Sequence, residues 1–244
     1  MWNILHADGQ TGHNGHTTSN GHHTGKHGAQ DDSGDDHFSA SVDTPIRQDA
    51  FDLDDDTKIE LITDKFREIM TILGLDLDDD SLKGTPRRVA KMYVKEIFSG
   101  LNPDNKPDVR LFENKYQYDQ MLVERDITFH SHCEHHFVPI YGKAHVAYIS
   151  SGKVIGLSKL NRIVQYYAQR PQVQERMTRQ ILEELKRVLE TEDVAIVVDA
   201  NHMCVSARGI HDVNSSTVTA DYAGKFLKPE VRTEFLKYVS LRES

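Results

Sequence analysis

The sequence predicts an α+β domain in which helices lie on one face of an antiparallel sheet. Three observations carry that expectation. Apolar residues recur at helical spacing up to about residue 100. The period then switches to strand-like alternation from Met121. Two further helical patterns, at 158–168 and 173–189, interrupt the strands.

Taken in order, residues 1–50 are rich in Gly, His, Ser, Thr, Asn and Asp and nearly free of large apolar groups. Such a segment buries too little surface to offset its ordering entropy, so it reads as a disordered tail. Its histidines are candidates for metal binding, and a solvated extension without a role is the plainer reading. Residues 51–120 form a helical region. Ile59, Ile62, Phe66, Ile69, Met70 and Leu73 share one helical face, and Gly74 follows as a stop signal. After an acidic loop at 76–84, Thr85 is expected to cap a second helix with Pro86 in its first position. Val89, Met92, Tyr93, Ile97 and Phe98 form its stripe, Gly100 ends it, and a polar linker covers 102–108.

The third region, 121–244, opens with strands at 121–129, 137–149 and 153–157, the last two joined by a tight turn at Ser151-Gly152. A helix follows at 158–168, broken by Gln169-Arg170-Pro171. A longer amphipathic helix carries Val173, Met177, Ile181, Leu185, Val188 and Leu189. A buried strand at 194–198 comes next. Two more, at 202–210 and 216–222, are expected to form a hairpin, and a helix at 229–239 ends the domain.

Charge is distributed as unevenly as apolarity. Residues 1–56 hold 11 Asp, one Lys and one Arg, a net of 2 − 11 = −9, and the remainder carries 27 basic and 27 acidic residues. The acidic balance thus belongs to the tail. Nothing in the body offers the basic face that nucleic acid demands. No run of about 18 apolar residues is present to span a membrane, and the first residues lack the basic start of a secretion signal. A cytoplasmic setting follows as the expectation. There, Cys133 and Cys204, the two cysteines of the chain, read as free thiols or metal ligands and not as a disulfide.

The chemistry gathers around those cysteines. Cys133 and His136 are three apart, close enough for a turn to aim both at one ion. His202, Cys204 and Arg208 share strand parity, so on a strand they face one side. Zinc accepts thiolate and imidazole, and a catalytic site leaves one position open for water, whose pKa it lowers toward about 7. Cys133, His136 and Cys204 make such a three-ligand set. His135 and His202 remain for proton transfer. A structural zinc with a fourth histidine ligand fits the same residues, as do two buried, inert cysteines. Glu134 either orients a histidine or is a solvated turn carboxylate. His130, His132, His145 and His211 have no assigned role.

Several motifs together resemble the GTP cyclohydrolase I family. They are Thr85-Pro86-Arg87-Arg88-Val89-Ala90-Lys91-Met92-Tyr93, Phe129-His130-Ser131-His132-Cys133-Glu134-His135-His136 and Ile155-Gly156-Leu157-Ser158-Lys159-Leu160-Asn161-Arg162. Gln169-Arg170-Pro171-Gln172-Val173-Gln174-Glu175-Arg176 and His202-Met203-Cys204-Val205-Ser206-Ala207-Arg208-Gly209-Ile210 complete the set. They occur in the family's order from about residue 57 onward, and the tail takes no part.

The resemblance implies the tunnelling fold for 121–244, in which sheets from several subunits close into a barrel. It implies a homodecamer of two pentamers with active sites at subunit boundaries. It implies conversion of GTP and water to formate and 7,8-dihydroneopterin triphosphate, a first step toward folate or tetrahydrobiopterin. By the same resemblance Cys133, His136 and Cys204 bind Zn2+, and His135 and His202 are the acid–base pair. Purine N7 is protonated, water attacks C8, formate leaves, and the sugar rearranges. Gln174 and Glu175 match positions that hold the guanine. Ser158, Lys159, Arg162, Arg208, Arg88 and Lys91 match or adjoin positions that hold the triphosphate. A helix start around Ser158 would favour an anion as well. Two other readings stand beside this one: a related enzyme acting on a pterin or deazapurine, and a non-catalytic zinc or nucleotide-binding scaffold. The intact Cys133-Glu134-His135-His136 run with Cys204 argues against the first. The two spare histidines argue against the second.

Overall fold

Asp54 starts the first helix of the structure, a computed structural model that describes residues 41–241. The expected disordered tail therefore lies outside the described residues up to residue 40. Asp54 accepts a hydrogen bond from the Thr57 backbone N–H at 2.7 Å, and Asp55 and Asp56 place negative charge at the helix's positive end. Helix α1 (Asp55–Ile72) then ends in a Schellman turn. Gly74 adopts φ +81°, its N–H reaches Thr71 O at 2.9 Å, and Leu75 N–H reaches Met70 O at 3.1 Å.

Helix α2 (Thr85–Met92) begins one residue earlier than its sequence suggests. Gly84 is the cap, and Thr85 is already helical with Pro86 second. The Thr85 hydroxyl does not cap because it accepts from Arg88 Nη2 at 2.8 Å instead. Nor does Gly100 simply stop this helix. The chain widens into a π turn at Tyr93–Ile97 and tightens into a 3-10 turn at Ser99–Leu101. Gly100 is needed for close approach: its N–H donates to Gln169 O at 2.9 Å, and a Cβ there would lie 2.0 Å from Tyr166 O. Arg170 Nε returns a bond to Gly100 O at 2.8 Å. These bonds tie the helical segment to the end of helix α3 (Leu157–Ala168).

Five strands form the main sheet, in the order β5 (Pro171–Gln172), β2 (Met121–Cys133), β3 (Pro139–Ile149), β6 (Val194–His202), β7 (Thr217–Tyr222). All pairs are antiparallel except β5 on β2, which is parallel. Strand β2 outruns its expected end at residue 129 and delivers Cys133 to the sheet's rim. A bulge between Glu124 and Ile127 puts Asp126 at φ +58°. The short strand β1 (Leu111–Glu113), which its polar surroundings conceal in the sequence, pairs with β4 (Lys153–Ile155) in a separate ribbon.

Strand parity divides the core in two. Val146 and Tyr148 of β3, with Val194, Ile196 and Val198 of β6, pack under α3 and helix α4 (Gln174–Leu189), against Ile163, Met177, Ile181 and Leu185. The opposite parity, Ala147, Ile149, Ala195 and Val197, meets Phe226 and Phe235 from the turn before helix α6 (Pro229–Ser240) and from α6 itself. Helices thus cover both faces, which amends the one-face expectation while leaving the α+β class intact. Each fully buried Leu, Ile or Phe contributes about 1.5–3 kcal/mol relative to exposure, so these two layers dominate over the exposed ion pairs of α1 and α2.

One expected strand is absent. Past His202 the chain makes a helical turn, α5 (Met203–Ser206), where the sequence suggested a strand over 202–210. The last β6–β3 pair is His202 with Ile140, and the last β6–β7 pair is Ala200 with Thr217. Beyond them the β3 edge offers only Pro139, which has no N–H to give. With no ladder on either side, the chain folds back on itself.

Gly100→Ala is expected to lower stability by about 1–3 kcal/mol, because a backbone carbonyl and not a flexible side chain blocks the new methyl. Urea unfolding measures this, and an unchanged midpoint would mean that the contact to Tyr166 is not tight.

Candidate functional site

Strand β3 places the site. It pairs on one edge with β2 and on the other with β6, so the end of β2 at Cys133 and the end of β6 at His202 lie at the same rim of the sheet. Strand β5 runs parallel to β2, with His132 opposite Pro171 and Cys133 opposite Gln172, which brings the start of α4 to that rim as well.

A five-residue turn then aims the β2 end. Phe137 N–H donates to Cys133 O at 2.8 Å, Cys133 N–H donates to Val138 O at 2.9 Å, and Phe137 adopts φ +55°. The turn is anchored sideways by Glu134 N–H on Gln172 O at 3.0 Å. Within it, Cys133 is buried and His135 and His136 are exposed. The Nδ1 atoms of both histidines lie 3.8 Å from Cys133 Sγ. His136 is the one that completes a set: its ring and the sulfurs of Cys133 and Cys204 lie within 4.8 Å of one another. Cys204 arrives from the helical turn α5, so the expected convergence is present although strand parity is not its cause.

Electrostatics at the rim suit a cation. Burial, and then the neighbouring Cys133 sulfur, push the Cys204 thiol above its ordinary range. A dication beside both sulfurs would reverse that effect. Arg208 also reaches the site, with Nη1 2.8 Å from His136 Nε2. A guanidinium only donates, so His136 Nε2 is the acceptor in this contact.

Glu134 has a definite partner. Arg176, whose side chain is 3% exposed, holds both carboxylate oxygens, and its Nε donates to Ser41 O at 2.8 Å. The Glu134 carboxylate lies 3.7 Å from His135 Nε2 on its other side. Sequence reasoning left Arg176 unremarked. Its signal was available, since Arg176, Gln180 and Glu184 recur every four residues on α4 and share one buried face.

His202 is half-buried, and burial holds it below the ordinary histidine range, with the nearby Glu175 carboxylate opposing the shift. Its Nε2 lies 2.7 Å from Gln174 Oε1. Gln174 is itself buried, and its Nε2 faces Val198 O, Thr217 O and Thr219 Oγ1 at 3.2, 2.9 and 3.2 Å. Its side chain is therefore turned into the protein. Glu175, next along, is exposed.

The remaining cations stand elsewhere in this chain. In α3, Asn161 bonds Glu124 and Gln165 bonds Thr128, which sets the start of that helix beside the middle of β2. Glu124 precedes Cys133 by nine residues, about 30 Å of extended strand. Ser158, Lys159 and Arg162 are thus not brought to the Cys133 rim. Lys159 instead donates to Asp108 O. On α2, Lys91 is exposed, and Arg88 holds Ser81 O and Thr85 Oγ1. A cavity of about 730 Å³ opens beside Glu134 and His135, lined by apolar groups such as Ile46, Phe51, Tyr93 and Phe137, and none of Gln174, His202 or Cys204 borders it. Among the described residues no helix is long and apolar enough to cross a membrane.

Comparison with known proteins places these features in context. The GTP cyclohydrolase I family profile matches residues 62–240. A GTP cyclohydrolase 1 of Flavobacterium johnsoniae is 60% identical over 211 residues, covering 86% of this chain and 95% of that protein. Those of Citrobacter koseri and Erwinia tasmaniensis are 54% and 52% identical, covering 81% and 82% of this chain and 90% and 91% of theirs.

Replacing Arg176 with Met leaves the Glu134 carboxylate without its buried partner. The expected loss is about 3–5 kcal/mol, read by urea unfolding, with a smaller loss for Glu134→Gln. Equal stability of Arg176→Met and the native chain would exclude the pair as an anchor of the turn.

Proposed function

The chain belongs to the GTP cyclohydrolase I family, and from that premise we propose that its active site is a zinc centre held by Cys133, His136 and Cys204. The chain is an enzyme with the activity of that family, converting GTP and water to formate and 7,8-dihydroneopterin triphosphate. The observation that carries the metal reading is the convergence of one imidazole and two sulfurs within 4.8 Å. Tetrahedral zinc, with bonds of about 2.3 Å to sulfur and 2.0–2.1 Å to nitrogen, wants ligand atoms about 3.5–3.8 Å apart. The Cys133 Sγ to His136 Nδ1 separation of 3.8 Å supports that fit.

Zinc, when bound, supplies a Lewis acid that makes water a competent nucleophile near neutral pH. The residues around it do the rest. His202, kept largely neutral by burial, and His135 transfer protons: one must reach the purine N7 to make C8 electrophilic, and others must follow as the ring opens and formate leaves. Glu175 extends from the first turn of α4, where its carboxylate can accept from both guanine N1–H and the exocyclic amine. Adenine offers no such pair, and a carboxylate left unpaired disfavours it. Gln174, directed inward, leaves that recognition to Glu175. The guanidinium of Arg208, 2.8 Å from His136 Nε2, serves the triphosphate.

Ser158, Lys159, Arg162, Arg88 and Lys91 complete the triphosphate site in an oligomer. Because the α3 cations stand about 30 Å along β2 from the rim, they serve the site of a neighbouring subunit. The tunnelling barrel of the family, built as a decamer of two pentamers, provides such a boundary, and the enzyme works in the cytoplasm.

Purified protein supplied with Zn2+ and GTP is expected to release formate and give a product that fluoresces after oxidation to neopterin. No formate from zinc-loaded oligomer would end this reading. Cys204→Ala should lose bound zinc by elemental analysis. His202→Ala should retain zinc and lose turnover by about 100-fold or more, and loss of metal there would show the ligand set to be misassigned. Deleting residues 1–38 should leave kcat unchanged.

A further inference from the structure

Gln174 is buried, and each of its polar atoms is committed. An amide can be turned end for end, and here the surroundings decide which way. One end meets two backbone carbonyls, Val198 O and Thr217 O, which only accept. That end must be the NH2. The other end is then Oε1, which only accepts, so the hydrogen in the 2.7 Å contact sits on His202 Nε2.

The hydroxyls beyond close the same logic. Thr178 Oγ1 donates to Gln174 O at 2.8 Å, which uses its one hydrogen. In its 2.7 Å contact with Thr219 Oγ1, Thr178 must therefore accept. Thr219 spends its hydrogen there and is left accepting from Gln174 Nε2 at 3.2 Å. Every donor runs in one direction: His202 to Gln174, Gln174 to Thr219, Thr219 to Thr178, and Thr178 back to the main chain of Gln174.

We infer that Gln174 is a positioning residue that holds His202 as its Nε2–H tautomer, so that Nδ1 is the nitrogen that exchanges protons with the substrate. The inference rests on the reading of His202 as a proton carrier. In a serine-protease triad a buried carboxylate fixes the tautomer of its histidine. A neutral amide does so here, and its acceptor serves the ring equally in either charge state.

The test uses full-length, zinc-loaded enzyme labelled with 15N-histidine. His202 resonances are assigned by their loss in His202→Ala. The native protein should show a protonated Nε2 and an unprotonated Nδ1 in neutral His202. In Gln174→Met, of similar length but with no such acceptor, the two tautomers should mix. Its kcat should fall by about 10–100-fold with KM for GTP within about threefold and zinc retained. Gln174→Glu, which can still accept from Nε2–H, should recover part of that loss. A native Nδ1–H tautomer, or Gln174→Met with native kcat, overturns the inference. If His202→Ala itself keeps full turnover, the proton-carrier reading fails instead, and the two failures are thereby told apart.

Discussion

The double pairing of β3 is the constraint from which the site follows. A strand paired on both edges fixes the register of its neighbours, and slipping either neighbour by one residue would exchange the side chains of its two faces and mismatch both apolar layers. Ile140 opposite both Ser131 and His202 sets the row. Two residues beyond that row stand Cys133 on one side and Cys204 on the other. The convergence of Cys133, His136 and Cys204 therefore inherits its precision from main-chain hydrogen bonds and from the apolar layer beneath. The loop that carries His135 and His136 is short, anchored to β5, and leaves little freedom for the rings to wander.

Much of this was legible in the sequence. The helical stripes of α1 and α4 and the long strands β2 and β3 follow from period alone, and the Cys-Glu-His-His run with a distant Cys204 pointed to the three side chains that converge. The path of Cys204 was not legible. Met203 to Ser206 suits a strand locally, and what forbids one is the absence of a pairing partner past Ile140, a tertiary fact. The inward turn of the Gln174 side chain was hidden for a similar reason. A glutamine at a helix start reads as a ligand contact until the carbonyls of β6 and β7 are seen closing on its amide. The cations of α3 are plain in the sequence, and their distance from the Cys133 rim follows only from where α3 lies along β2.

Glu134 illustrates how burial separates two readings that sequence leaves equal. A turn carboxylate in water would be worth little to the fold. With Arg176 nearly excluded from solvent, the same pair becomes costly to break, because either partner alone would be a buried charge. The pair also sets the carboxylate beside His135, so one interaction serves the rigidity of the turn and the surroundings of that ring.

Arg176 reaches a third group, the main-chain oxygen of Ser41, and Gln180 similarly reaches that of Val42. Every residue type carries the same carbonyl. The segment leading into the body is therefore recognised without regard to its side chains at these two points. Its spelling at these two points can drift while the wiring to Arg176, and through it to the turn at Glu134, persists.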